Sequence, residues 1–147
     1  MKYKYEISCS KDRLQSVRNF VQSTLKNYDI PEVELNQLVL AVDEVCSNLI
    51  IHSHHCNEQE ILELVISVQD DSGVTFEIRD RGKGFNFRKY KEPSLNDIIK
   101  SKRKGGVGLL LVRRIMDRID CDFNDETHRN IYRMHKSMSI RSLPPTE

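Results

Sequence analysis

Three groups of residues in this 147-residue chain are of types, and at spacings, that could do chemistry together. Glu44 and Asn48 stand four residues apart, about 40° around a helix axis from one another, so a carboxylate and an amide share one flank. Asn48 offers a neutral oxygen of the kind magnesium accepts beside its waters and a substrate's phosphates. Glu44 can take a proton from a water or hydroxyl nucleophile. The second group is Asp80-Arg81-Gly82-Lys83-Gly84. A carboxylate at a strand end can accept a hydrogen bond from an exocyclic amine such as that of adenine. Gly82 and Gly84 remove side chains where a backbone turns sharply or approaches a ligand closely. The third group, Gly105-Gly106-Val107-Gly108, precedes an apolar helix, whose unpaired N-terminal amides receive phosphate oxygens.

Each group alone has an ordinary reading. Glu and Asn on a helix flank usually face solvent, D-x-G-x-G is often a turn, and a glycine cluster can be a hinge. Their combination is what points to a nucleotide. The G-x-x-x-x-G-K-[ST] phosphate loop and the H-R-D and D-F-G kinase signatures are absent from the sequence, so a nucleotide site here is of another type. Eight basic residues lie between Lys83 and Lys104 against only Glu92 and Asp97. A charge run is commonly a solvated loop, but its place between two glycine motifs favours a phosphate-facing role. His52, His54, His55, Cys56 and Cys46 invite a zinc reading, yet adjacent ligands point different ways and the spacing fits no standard pattern. Tyr3, Tyr5, Phe76 and Phe85 read as core or pocket wall rather than as a base-stacking platform.

The elements that must position these groups follow from periodicity. Met1 to Ile7 alternates and reads as a first strand; Ser10 is a plausible N-cap. Leu14, Val17, Phe20, Val21 and Leu25 mark a helix to about Tyr28. After Pro31, a second helix to about His52 buries Leu35, Leu38, Val42, Val45 and Leu49. Ile61 to Gln69 and Val74 to Arg79 form a hairpin about Asp70-Asp71-Ser72-Gly73. A short helix around Leu95, Ile98 and Ile99 precedes the second glycine cluster. Leu109 to Arg118 continues as a helix, and strands at Cys121 to Phe123 and Ile131 to Met134, joined by a turn near 127–130, close the chain. The order β-α-α-β-β-loop-α-β-β predicts an α+β, two-layer sandwich.

Length and composition fit a single domain over residues 1–140 with a flexible tail at 141–147, ending a chain that needs no disulfide. The hydrophobic share of 38% and charged share of 31% are those of a soluble protein without a membrane span. The net charge of +1 gives no general attraction to nucleic acid or anionic lipid. Without a signal-peptide core, and with four scattered cysteines read as free thiols, a cytoplasmic setting is expected.

Together, E-V-C-S-N at 44–48, D-R-G-K-G-F at 80–85 and G-G-V-G-L-L-L at 105–111 resemble the ATPase and kinase superfamily of the gyrase, histidine kinase and MutL type, whose nucleotide site is the Bergerat fold. Order, spacing and chain length look most like the anti-sigma factor serine-protein kinases of the RsbW and SpoIIAB type. The resemblance runs from the first strand to about Lys136. It implies helices packed on one face of a mixed, largely antiparallel sheet. It makes Glu44 the base that activates a serine hydroxyl, Asn48 the Mg2+ ligand and Asp80 the adenine contact, with Gly82 and Gly84 bordering the base. Gly106, Val107 and Gly108 would lie over the phosphates, with Lys104 beside Lys102 and Arg103 in a closing lid. His52 matches a histidine common in that helix. The sequence departs from the pattern at His52-Ser53-His54-His55 and at His128-Arg129-Asn130.

By resemblance, then, the expected function is an ATP-dependent protein serine kinase acting as a switch. Its partners would be an anti-anti-sigma factor of the STAS fold and a sigma factor, and the chain would be a homodimer with no direct contact to nucleic acid or membrane. The alternative is a nucleotide-dependent interaction module with little transferase activity, regulating a phosphatase or other partner; the presence of Glu44 argues against it. A sensor histidine kinase would need an upstream helical hairpin bearing a phosphoacceptor histidine.

Overall fold

A computed structural model describes residues 1–53, 56–80, 104–124 and 129–144. β1 (Lys2–Ser8) leads through a single 3-10 turn, Lys11–Arg13, into α1 (Leu14–Leu25) and α2 (Glu32–Asn48). The hairpin strands β2 (Ile61–Gln69) and β3 (Gly73–Asp80) follow, then α3 (Lys104–Ile115), β4 (Arg118–Asn124) and β5 (Arg129–Ser137). The expected order of elements holds. Ser10 caps the 3-10 turn, accepting from the Asp12 amide at 3.3 Å, so α1 begins at Leu14.

The strands form one sheet in the order β1-β2-β3-β5-β4, and every pairing among them is antiparallel. Pleating divides each strand between two faces. Leu62, Leu64, Ile66 and Val68 of β2 share one face with Val74, Phe76 and Ile78 of β3 and with Tyr132 and Met134 of β5; all are buried. The three helices cover this face, with α2 lying between α1 and α3. The expected helical stripes are the ones buried: Val17, Val21 and Leu25 in α1, and Leu35, Leu38, Val42 and Val45 in α2. Tyr5 stacks on Phe20 of α1 with centroids 4.8 Å apart, and the Tyr3 and Tyr28 hydroxyls meet at 2.7 Å. Burial, then the bond to Tyr3, pushes the Tyr28 phenol up to about 12. Of the aromatics expected in the core or pocket wall, Phe76 is fully buried and Tyr3 and Tyr5 are partly buried against the core, while Phe85 lies outside the described residues.

The β2–β3 turn needs its glycine. Gly73 sits at φ +141°, and a Cβ there would fall 2.2 Å from the Lys136 carbonyl oxygen. Residues 138–143 run back across this end of the sheet. The Asp71 amide donates to Ile140 O, Asp29 N to Arg141 O and Leu143 N to Asn27 O, while Ile140 is fully buried. Part of the segment expected to be a tail, Arg141 to Leu143, is therefore hydrogen-bonded to the domain. The expected helix around Leu95 to Ile99 and most of the turn near 127–130 lie outside the described residues. Among the described residues no helix is long and apolar enough to cross a membrane.

Candidate functional site

The register of α2 fixes the first two site residues. Its buried face is Leu35, Leu38, Ala41, Val42, Val45 and Cys46, which turns Glu44 and Asn48 away from the sheet, and both are half-buried. Asn48 Nδ2 donates to the Glu44 carbonyl oxygen at 2.9 Å. That bond takes one of the amide's two donor hydrogens and orients Oδ1 as its acceptor. Immediately beyond Asn48 the helix widens into a π turn, Leu49–Ser53, a distortion frequent at functional sites. The expected continuous helix to His52 is thus an α-helix ending at Asn48 with a π turn appended.

Glu44 holds its proton more tightly than an ordinary glutamate. Partial burial is the main cause, and the neighbouring Asp43 carboxylate adds to it. Asp43 is itself held by Arg18 of α1, Nη1 to Oδ1 at 2.9 Å. This pair was not legible in the sequence, since only the packing of α1 against α2 brings positions 18 and 43 together.

Asp80 ends β3 on the helix-covered face, in line with Val74, Phe76 and Ile78, and is 3% exposed. It pairs across the sheet with Asn130, which is also buried. Cys9 adjoins this corner, its thiol pushed up to about 12 by burial first and by the Glu60 and Asp80 carboxylates next. Cys46 is raised by burial, then by Asp43 and Cys9. Both thiols stay protonated, which suits neither nucleophile nor zinc ligand. Among the described residues no group of three or more His, Cys, Asp or Glu could hold a metal, and His54 and His55 lie outside them.

The glycine cluster is placed differently from its expectation. Gly105, Gly106 and Gly108 do not precede the helix; they form the opening turns of α3, which starts at Lys104. The backbone of Lys104, Gly106 and Val107 therefore supplies the first amides of that helix, the position that suits an anion. The helix also stops at Ile115 rather than reaching Arg118, where β4 begins. Gly82, Gly84, Lys102 and Arg103 lie outside the described residues.

A cavity of about 350 Å³ opens at the end of the sheet, lined by Glu6, Glu63, Arg79, Asp80, Arg129 and the 59–61 segment. It shares only Asp80 with the expected set. Glu63 there is bound to Arg79 at 2.9 Å and to Lys4 at 3.5 Å, so its charge is balanced within the sheet. On the helix side, α2 carries Glu44 and Asn48 on one flank, and Asp80 is buried at the end of β3 in the sheet that α2 covers.

The comparisons with known proteins agree with this fold. Residues 7–136 match the family model described as the histidine kinase-like ATPase domain. The chain is 30% identical over 110 residues to an anti-sigma F factor of Clostridium botulinum, covering 74% of this chain and 75% of the relative. It is 28% identical over 100 residues to the anti-sigma F factor of Priestia megaterium, covering 67% of each. In fold it is similar to a chain of the SiaB–SiaC complex from Pseudomonas aeruginosa, with TM-score 0.63 and 12% identity over 92% of this chain and 89% of that one. It is equally similar to a structure of RsbU and RsbW domains from Mycobacterium tuberculosis, with TM-score 0.63 and 11% identity, covering 98% of this chain and 35% of that one.

Proposed function

The chain belongs to the histidine kinase-like ATPase domain family, alongside the anti-sigma F factors, and from that premise we propose that it is an ATP-dependent protein serine kinase that doubles as a binding switch. The observation that carries the reading is the Glu44–Asn48 pair. One helix turn presents a carboxylate with a raised proton affinity beside an amide that a bond to the helix backbone orients. A base whose pKa moves from the ordinary glutamate range toward neutrality is better matched to deprotonating a hydroxyl at physiological pH. Asp80, buried at the end of β3, suits the exocyclic amine of adenine, and the opening turns of α3 suit phosphate oxygens.

The donor set also fits magnesium. A single neutral protein oxygen, Asn48 Oδ1, is the kind of ligand that magnesium combines with waters and nucleotide phosphates rather than with an all-protein cage, and when bound the ion offsets phosphate charge. In the proposed transfer, Glu44 accepts the proton of a serine hydroxyl as that oxygen forms its bond to the γ-phosphorus. The bond from that phosphorus to the bridging oxygen breaks, and ADP leaves. Positioning supplies most of the acceleration in such reactions.

The acceptor in this reading is a serine on an anti-anti-sigma partner of the STAS fold. The relatives' name supports it: an anti-sigma factor holds a sigma factor, and a competing partner must be switchable. Adding a phosphoryl group puts about two negative charges on that partner's docking surface and releases it, freeing the kinase for the sigma factor. The test is to incubate the protein with γ-labelled ATP, magnesium and candidate STAS-domain proteins. Label recovered as phosphoserine on one of them supports the reading; label on none, with ATP demonstrably bound, contradicts it.

A further inference from the structure

The solvent-facing side of α2 carries more than Glu44. Counted at 100° per residue, Val33, Leu40 and Glu44 fall within about 40° of one another around the axis, opposite the buried stripe, and span about 17 Å along it. Val33 is 70% exposed and Leu40 is 39% exposed. Two apolar side chains therefore stand in water, among the described residues, in line with the carboxylate read as the base. Scattered exposed apolar residues need no explanation, but two in register with a functional carboxylate on one helix face do. The charge of the helix is equally one-sided: Glu32, Glu34, Asp43 and Glu44 lie between its ends, with no Lys or Arg. Asp43 is matched by Arg18 from the neighbouring helix.

We infer that the outer face of α2, from Val33 through Leu40 to Glu44, is the docking strip for the protein that presents the hydroxyl. The inference rests on the kinase reading and adds to it what the partner must offer: a surface with apolar side chains to cover Val33 and Leu40, flanked by Lys or Arg facing Glu32 and Glu34, and a serine at the end nearest Glu44. Leu40 lies one turn before Glu44, about 6 Å along the axis, so a partner seated on it is at the distance where its hydroxyl reaches the carboxylate. A second copy of this chain is the less suitable occupant, because a helix that carries Glu32, Glu34 and Glu44 and no Lys or Arg brings like charges together when it meets itself.

The experiment substitutes Val33→Asp and Leu40→Asp, whose exposure lets the fold accept them, and uses a purified STAS-domain anti-anti-sigma protein as probe. Probe affinity is measured by calorimetry with a non-hydrolysable ATP analogue present, and phosphotransfer is measured separately as KM and kcat. Each variant should weaken probe binding and raise KM about tenfold, the scale of an interface anchor, with kcat at saturating probe within twofold. Glu32→Lys with Glu34→Lys should weaken binding in the same direction. Variants that bind the probe like the wild type overturn the docking strip even if transfer proceeds. A wild type that binds the probe, loses affinity in the variants and never transfers leaves the strip standing and removes the kinase reading. A wild type that neither binds nor labels the probe overturns both. If Leu40→Asp turns a dimer into a monomer in sedimentation, the strip is a contact between copies and the inference is wrong.

Discussion

The two faces of this molecule use charge in opposite ways. On the helix-free face of the sheet, Lys4, Glu63, Arg79, Glu77 and Arg133 form a ladder that runs from β1 across β2 and β3 to β5, and Arg133 reaches on to Asp120 and Asp122 of β4. Acid alternates with base at each step. On the outer face of α2 the charge is acidic only, and Glu44 is left with a raised proton affinity. The lesson is that charge density does not mark the site. Glu77 is held between two guanidinium groups, those of Arg79 and Arg133, whereas partial burial and a like-charged neighbour raise the proton affinity of Glu44, which suits it to exchanging a proton.

The contrast can be broken from the sheet side most severely at the turn. Gly73→Ala should lower stability by about 3 kcal/mol, because the added Cβ meets the Lys136 carbonyl and the backbone sits where L-residues are strained. Chemical denaturation measures it. At the site corner, Asp80→Asn should weaken ATP binding by about 2 kcal/mol, roughly thirtyfold, as expected for removing a charged hydrogen-bond acceptor. Unchanged ATP affinity in calorimetry would show that Asp80 does not contact the base. On the ladder, Glu77→Ala should cost about 1 kcal/mol of stability, since both its arginine partners are about a third exposed and solvent screens the pairs. It should leave ATP affinity alone, which separates the structural carboxylates from the chemical one.

The smallest effect is the most specific to Glu44. Its folded-state pKa lies above its ordinary value, so the folded protein binds the proton more tightly than the unfolded chain does. Stability linked to this group is present below the ordinary glutamate range and is lost as pH rises through the folded value. Glu44→Gln should therefore be slightly more stable than the wild type at neutral pH, with the gap closing on acidification, as followed by thermal unfolding at several pH values. Asp43→Asn should shrink the same gap, because it removes one of the two causes.

Much of this was readable in the sequence where local rules suffice. The hairpin of Ile61–Gln69 and Gly73–Asp80 follows from β-rich runs around a turn cluster, and Glu44 and Asn48 were placed on one flank of α2 by the helical period alone. What was misread depends on competition between local and tertiary terms. Gly105, Gly106 and Gly108 argue against a helix by propensity, yet α3 incorporates them, its buried Leu109 and Val112 packing in the core shared with α2. What was missed depends on register. The ladder needs Glu63 opposite Arg79 and Glu77 opposite Arg133, and the Arg18–Asp43 pair needs two helices side by side. No window of sequence contains that information. The exposure of Val33 and Leu40 likewise becomes meaningful only once the buried face of α2 is known.

On the proposed kinase reading, Glu44 serves transfer and not nucleotide binding. The direct measurement compares wild type and Glu44→Gln for ATP affinity and for phosphoserine formed on a STAS-domain partner in the same preparation. Equal ATP affinity and a transfer rate lower by about 10²–10⁴-fold, the range of a removed general base, are expected. Transfer at the wild-type rate in Glu44→Gln would contradict that reading.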